Sequence, residues 1–390
     1  MHQRICLGGV PILIFHSVRK RRLFDLGVGG DLTMPSSVFE RQMRSLRRGG
    51  YQSIRCRDLA DHLEHGAPLP KRPVLITFDD GYLDNFTIAA PILRRHGLKA
   101  TVFVATDFIH PEPVVRPTLA NENNPPERGY MSKEELLALE QDGVFEVQCH
   151  TASHQRLPVS GEVEDFHRPD QPCQWMVRNA APEKKPLEEL EDLAPNLPWG
   201  TPVLQSEWLG AAHGFFPAPG CFDSLIRHVA ENGGETFFQR KDWRASLLEK
   251  LAELGPIPGE RESEEERERR LVKDLKHGRR VLEDLLQRPV EFLAWPGGPV
   301  DPQAVQVATE TVGFRSTFMV DQPCPGVEPN LRVMNRCYFN QDYQGRFRDW
   351  VRVMKIRGVT DFESGRWLGY WRIFLANRFM KGYGDQGNEA

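Results

Sequence analysis

Short apolar runs that stop at polar clusters recur along this chain, separated by segments with a helical period. Residues 11–15 form a strand-length run halted by His16-Ser17, with a glycine-rich loop at 27–30. Residues 35–48 set Val38, Phe39, Met43 and Leu46 on a helical period, opened by Ser36 and Ser37 and closed by Gly49-Gly50. A short polar helix is expected at 57–65. Residues 73–78 are the clearest buried strand and run directly into Asp79-Asp80-Gly81; a helix over 82–96 and a strand over 100–105 follow. The rhythm repeats as a helix at 132–142, a strand at 145–149 and the cluster His150-Thr151-Ala152-Ser153-His154. Later it resumes with a charged, solvated helix start at 260–270, a helical period at 271–286, a strand at 290–295 ending in Pro296-Gly297-Gly298, and a helix at 302–311. Apolar runs alternating with helices predict an α/β fold, a parallel sheet or barrel with helices outside, which gathers active sites at strand C-termini.

The rhythm breaks between 160 and 262, where Pro, Trp and Phe are frequent: Trp175, Trp199, Trp208, Phe215, Phe216, Phe237, Phe238 and Trp243. This reads as a long insertion. Leaving just after His154, it starts at the barrel mouth, either as a lid or acceptor groove laying sugar rings or an acyl chain on aromatic faces, or as a subdomain burying its aromatics in its own core. The last segment, 341–390, reads as a helical tail. Its 341–383 stretch holds nine Lys/Arg against four Asp/Glu, a net of +5, with Phe347, Trp350 and Phe362 interleaved. Trp367, Tyr370, Trp371, Phe374 and Leu375 share one helical face, with Arg366, Arg372, Arg378 and Lys381 around it. Such a helix either lies in a membrane interface or packs its aromatics onto the barrel.

Composition narrows the classes. The 390 residues carry 50 Lys+Arg against 54 Asp+Glu, a net of −4, which excludes a surface built throughout to neutralise nucleic acid. The length allows one large barrel or two domains. Apolar runs such as 10–15 and 102–105 are far short of the roughly 20 residues that cross a bilayer, so no membrane-spanning helix is expected. Seven scattered cysteines without a CxxC, together with a first ten residues lacking the pattern of a secretory leader, predict a reduced, cytoplasmic setting, with the tail allowing peripheral attachment to the inner membrane's cytoplasmic face.

Asp79-Asp80-Gly81 alone is compatible with an ordinary strand-to-helix turn, Gly81 supplying the turn. His150 and His154, four apart, are compatible with a structural pair or with metal ligation. Together, one carboxylate and two imidazoles at parallel strand ends make a three-ligand set with an open position for water, beside a second carboxylate able to act as base.

These segments resemble the first two motifs of the polysaccharide deacetylases (NodB-homology, carbohydrate esterase family four). Residues 293–298 resemble the third motif, and residues 13–18 the opening of the branch holding exopolysaccharide N-deacetylases. The resemblance covers roughly 1–155 and 270–320. It implies a distorted (β/α) barrel over 1–340, interrupted by the 160–262 insertion, and a metal-dependent N-deacetylase acting on a polysaccharide or lipid-linked glycan. It further implies Asp79 as base, Asp80, His150 and His154 as ligands of one divalent metal (Zn2+, with Co2+, Ni2+, Mn2+ or Fe2+ as alternatives), and the Gly297 N–H as oxyanion donor. Tyr82 and Trp295 are the expected substrate contacts. Two departures stand out: the third motif's usual Arg position carries Ala294, and no histidine follows His277 to act as the usual acid. His16 and His213 are the candidate acids, and Arg336 the candidate cation. Rival readings are an amidohydrolase of a small cyclic amide or ureide and a glycan-binding protein with an impaired site.

Overall fold

Each apolar run that ends at a polar cluster is a barrel strand. The computed structural model describes residues 9–20, 32–320, 332–337 and 349–381, with side chains through Arg378; the glycine-rich loop at 27–30, Cys6, Cys324 and Phe347 lie outside them. The first half comprises β1 (Ile12–Phe15), β2 (Ser17–Arg19), β3 (Thr33–Pro35), α1 (Ser36–Arg48), β4 (Gln52–Ile54), α2 (Cys56–His65), β5 (Pro73–Phe78), α3 (Ala90–Arg95), β6 (Ala100–Val104), α4 (Lys133–Asp142) and β7 (Phe145–Cys149). The insertion holds β8 (Arg156–Phe166), α5 (Gln174–Ala180), β9 (Pro202–Trp208), β10 (Phe215–Pro217), α6 (Asp223–Glu231), α7 (Trp243–Leu254) and β11 (Gly259–Arg261). After it come α8 (Glu264–Leu286), β12 (Phe292–Ala294), α9 (Pro302–Gln306), β13 (Ser316–Val320), β14 (Val333–Arg336), α10 (Asp349–Glu363) and α11 (Trp367–Lys381).

The sheet runs β1-β5-β6-β7-β12-β13-β14 with every pairing parallel, and β4 adds to the lower part of β5. Cys337 then bridges back to Leu13, its N–H donating to the Ile12 carbonyl at 2.7 Å, so the sheet closes on itself. The interior is filled by Ile12, Leu75, Phe103, Phe292, Phe318 and Met334, one from most staves, with Leu59 and Ala60 of α2 plugging the base. The outward faces pack against the helices; there Phe78 touches Phe15, Phe39 and Phe145 with ring centroids 5.2–5.7 Å apart.

Several elements differ from the sequence expectation for physical reasons. Ser36 and Ser37 lie inside α1, and Pro35 occupies its N-cap. The helix expected from Tyr82 starts at Leu83 and passes through a π segment, Asn85–Ala89, into α3; at its start the buried Asp84 carboxylate caps β2, accepting from Ser17 Oγ, Val18 N and Arg19 Nε at 2.6–2.9 Å. The charged stretch at 264–270 is the start of one long α8, and its Arg267 is buried, donating to Asp301 and the Ala212 carbonyl.

In the insertion, β8 and β9 form an irregular antiparallel hairpin rising from the end of the histidine cluster. Phe166, Phe237, Phe238, Trp199 and Trp243 share a core of their own, whereas Trp175 and Trp208 line the cavity at the barrel mouth. Ion pairs pin the insertion down: Arg19 to Glu189 at 2.5 Å and Lys185 to Asp107 at 3.3 Å. At the C-terminus, α10 lies on α1, with Arg41 bound to Asp349 and Tyr51 to Asp361. α11 folds back on α10 where a Cβ at Gly369 would stand 2.5 Å from the Gly358 carbonyl. The aromatic face of α11 points away from the barrel: Trp367 is 70% exposed, and Tyr370, Trp371 and Phe374 are exposed beside it.

Phe78→Ala removes the ring on which three others converge and is expected to cost about 3–5 kcal/mol, read as a lower urea midpoint with an unchanged slope.

Candidate functional site

Side chains alternate along a strand, so every second residue faces the barrel interior. Leu75 faces inward, which puts Thr77 and then Asp79 on the same face, at the top of β5. By the same rule Arg336 stands above the inward Met334 on β14. The two meet as a bidentate pair, Nη1 to Oδ1 at 2.5 Å and Nη2 to Oδ2 at 2.8 Å, with the guanidinium over the Phe103 ring. Burial alone would raise the Asp79 carboxyl, but the charges of Arg336 and His150 outweigh it and hold the group below the ordinary carboxylate range.

Asp80 would face outward on an ordinary strand. Its backbone turns instead, with φ +72°, and Gly81 follows at +83°. Thr151 and His154 also sit in the left-handed region, so three of the four described non-glycine residues there belong to the two motifs. Asp274 of α8 secures the second turn, its carboxylate accepting from the N–H groups of Ala152 at 2.9 Å and Ser153 at 3.2 Å. A Cβ at Gly278, one turn along α8, would lie 2.9 Å from the backbone of Thr151, so the helix packs directly on that loop.

These turns bring Asp80 Oδ1 to 3.3 Å from His150 Nε2 and 3.1 Å from His154 Nε2. Neither approach has the direction of a hydrogen bond, and this buried oxygen has no donor. His150 Nδ1 lies 2.8 Å from the Ala294 carbonyl, which only accepts, so Nδ1 carries the proton and Nε2 presents its lone pair to Asp80. Three ligand atoms within 4.8 Å of one another fit a divalent cation; burial lowers His150, but Asp79 and Asp80 outweigh it and raise that imidazole, a pull for positive charge that a bound cation would answer. Burial lowers His154 despite Asp80, keeping that imidazole neutral, as a ligand must be.

A cavity of about 590 Å³ opens over this cluster, within the usual span of ligand pockets, ~300–1,000 Å³. His16, Asp79, Asp80, Tyr82, His150, His154 and Gly297 all line it. His16 Nδ1 is buried without a partner, and burial lowers its pKa against the pull of Asp80 and Asp79. Tyr82 is stacked on Tyr130 at 5.1 Å. Gly297 has φ +67° and lies against Trp208, whose indole nitrogen is 2.1 Å from where a Cβ would be; any side chain there would displace the ring.

Two expected site residues are elsewhere. Trp295 is fully buried among core side chains, because its strand carries it outward from the mouth, and Trp175 and Trp208 of the insertion supply the aromatic walls in its place. His213 is half exposed between Glu264 and Asp301, at 3.5 and 3.6 Å, and does not line the cavity. Asp274 and Arg156 escaped sequence reasoning: an acid on a helical period and an arginine at a strand start carry no local signature.

Asp274→Ala frees both N–H groups of the histidine turn and is expected to lower divalent-metal affinity about 10–100-fold, measured by competition with a chromophoric chelator.

Residues 66–192 match the family model for polysaccharide deacetylase. Over 148 residues the chain is 29% identical to "Putative polysaccharide deacetylase YxkH" of Bacillus subtilis (strain 168), covering 38% of this chain and 44% of that protein. Over 63 residues it is 35% identical to the poly-β-1,6-N-acetyl-D-glucosamine N-deacetylase of Escherichia coli (strain K12), covering 16% of this chain and 9% of that one. The matched stretch thus spans less than half of either relative. A de-N-acetylase from Aggregatibacter actinomycetemcomitans superposes with a TM-score of 0.50 over 86% of this chain and 97% of its own, at 14% identity, a likeness of fold. The match to the polysaccharide deacetylase family model thus falls on residues 66–192, from the end of α2 through β5, β6 and β7 of the closed barrel into the insertion.

Proposed function

We propose that the protein is a metal-dependent N-deacetylase, hydrolysing the acetamido group of an N-acetylated sugar in a polysaccharide or lipid-linked glycan. The observation that carries this reading is the buried Asp80 Oδ1, without a hydrogen-bond donor, facing the Nε2 atoms of His150 and His154. Zn2+ is the ion we assign to these three ligands; when bound it polarises the acetyl carbonyl and makes water acidic enough to be deprotonated near neutral pH.

The chain's own groups account for the rest. Asp79, held ionised by Arg336, accepts a proton from the attacking water. The Gly297 N–H, which makes no hydrogen bond among the described residues, is our oxyanion donor to the tetrahedral intermediate. His16 is our donor to the departing amine: its Nδ1 has no partner among the described residues, it lines the cavity beside both carboxylates, and, kept neutral at rest by burial, it passes on the proton that Asp79 takes from water. The C–N bond breaks, and acetate and a free amino sugar result. Arg336 takes over, from β14, the cationic role that Ala294 on β12 lacks, which disfavours an impaired, purely glycan-binding site.

Asp79→Asn is expected to cut acetate release by about 10²–10⁴-fold while metal content stays at the wild-type level. Substrates are N-acetylglucosamine oligomers and a lipid-linked N-acetylhexosamine, with Zn2+ or Co2+ present. Metal-loaded wild type releasing acetate from neither would overturn the reading, and hydrolysis of a cyclic ureide instead would favour the small-amide alternative.

The same proposal places the protein peripherally on an anionic membrane through α11. Trp367, Leu368, Tyr370, Trp371, Phe374 and Leu375 form one exposed apolar surface, the composition of an interfacial helix. Arg357, Arg366 and Arg372 share the single carboxylate of Asp361, which leaves positive charge beside that surface. Among the described residues no helix is long and apolar enough to cross a membrane. Free thiols at Cys56, Cys149, Cys173 and Cys221 support a reducing, cytoplasmic side. Wild-type protein should sediment with phosphatidylglycerol-containing vesicles, and Trp367→Ser with Trp371→Ser should abolish this; wild type left in the supernatant, or self-association through α11 instead, would sink the placement.

A further inference from the structure

Three arginines line the catalytic cavity or its carboxylates, and their charges are disposed of differently. Arg336 is spent on Asp79. Arg178 is bidentate on Glu188, at 2.6 and 2.7 Å. Arg156, two residues beyond the ligand His154, lines the cavity and has no carboxylate partner among the described residues. Its guanidinium lies over the Trp208 indole, 5.5 Å from the ring centroid, and that same indole meets the His154 ring at 5.2 Å. Its one hydrogen bond within the protein runs from Nη2 to the Ser206 carbonyl at 3.1 Å. Nε is buried without an acceptor, and Nη1 has no acceptor either.

Half-buried and held in place by an aromatic face and one carbonyl, this arginine keeps a buried Nε without an acceptor and a charge that no described carboxylate neutralises. A ligand oxyanion answers both, and a planar guanidinium suits phosphate and carboxylate alike. The neighbouring carboxylates do not serve: Asp79 is occupied by Arg336, and Asp80 faces the two imidazoles.

We infer that Arg156, held by Trp208, is the anchor for an anionic group carried by the substrate close to the acetamido sugar, so that the enzyme discriminates charged from neutral glycans. The inference rests on the deacetylase reading for the position of the acetamido group. Two sources share this chemistry: the phosphate of a glycosyl phosphate, as in a lipid-linked glycan, and the carboxylate of a neighbouring uronic acid in a polymer.

Calorimetric binding to the full-length, zinc-loaded protein tests it without relying on turnover. The probes are N-acetylglucosamine 1-phosphate, a disaccharide of N-acetylglucosamine and glucuronic acid, and the neutral N-acetylglucosamine disaccharide. At least one anionic probe should bind tenfold or more tightly than the neutral one. Arg156→Gln should erase that preference, read as the ratio of anionic to neutral affinity within the variant, and Arg156→Lys should retain part of it. Preference for the phosphate alone identifies a glycosyl phosphate, and preference for the uronate alone a charged polymer. Equal binding of all three by wild type overturns the inference even if the Gln variant fails to fold, and so does a preference that survives Arg156→Gln. Absence of acetate release from any substrate would instead overturn the deacetylase reading, leaving the binding result to stand or fall separately.

Discussion

The pairing of Asp79 with Arg336 links the ends of the barrel to its chemistry. Both groups are buried, and stripping either of its partner would leave an uncompensated charge at a cost of about 3–5 kcal/mol. The pair forms only because β14 returns beside β1, where Cys337 bonds to Ile12, and so brings the last strand within reach of the top of β5. Closing the barrel is therefore what puts Arg336, one of the charges that holds Asp79 below the ordinary carboxylate range, beside it. A base that must accept a proton gains from being ionised, and a cation that fixes both its oxygens also fixes its aim.

Backbone strain concentrates in the two motifs that carry the candidate ligands. Asp80, Thr151 and His154 adopt left-handed conformations that ordinary turns assign to glycine. That strain is sustained by neighbours: Asp274 grips the N–H groups of the histidine turn, and Gly278 lets α8 lie against it. The outer elements thus hold the mouth in a shape that its own sequence would not adopt unaided.

The insertion divides its aromatics between two tasks. Phe166, Phe237, Phe238 and Trp243 build a small core that keeps the subdomain rigid, while Trp175 and Trp208 wall the cavity. Trp208 is a junction, touching His154, carrying Arg156 and filling the space above Gly297. Its position explains why a flexible residue is required at 297, a turn whose φ and steric room both exclude a side chain.

The sequence by itself determined the barrel strands and the polar groups at their ends, because burial on both faces makes a parallel strand a continuous apolar run and period-two alternation aims its last residues. Thus Asp79, His150 and His154 were legible, as was the aromatic face of α11 from its helical period, while packing alone decided that this face is exposed. Only the tertiary structure decided which groups meet across the mouth. Arg336 was a candidate cation on its chemistry alone; that it pairs with Asp79, 257 residues away, is decided by the return of β14 beside β1. His213 and Trp295 were plausible by chemistry and proximity in sequence, but strand direction and the fold of the insertion turned them elsewhere. Arg156, Trp208 and Asp274 acquire their places from packing between elements distant in the chain, and such contacts leave no periodic trace for a sequence to display.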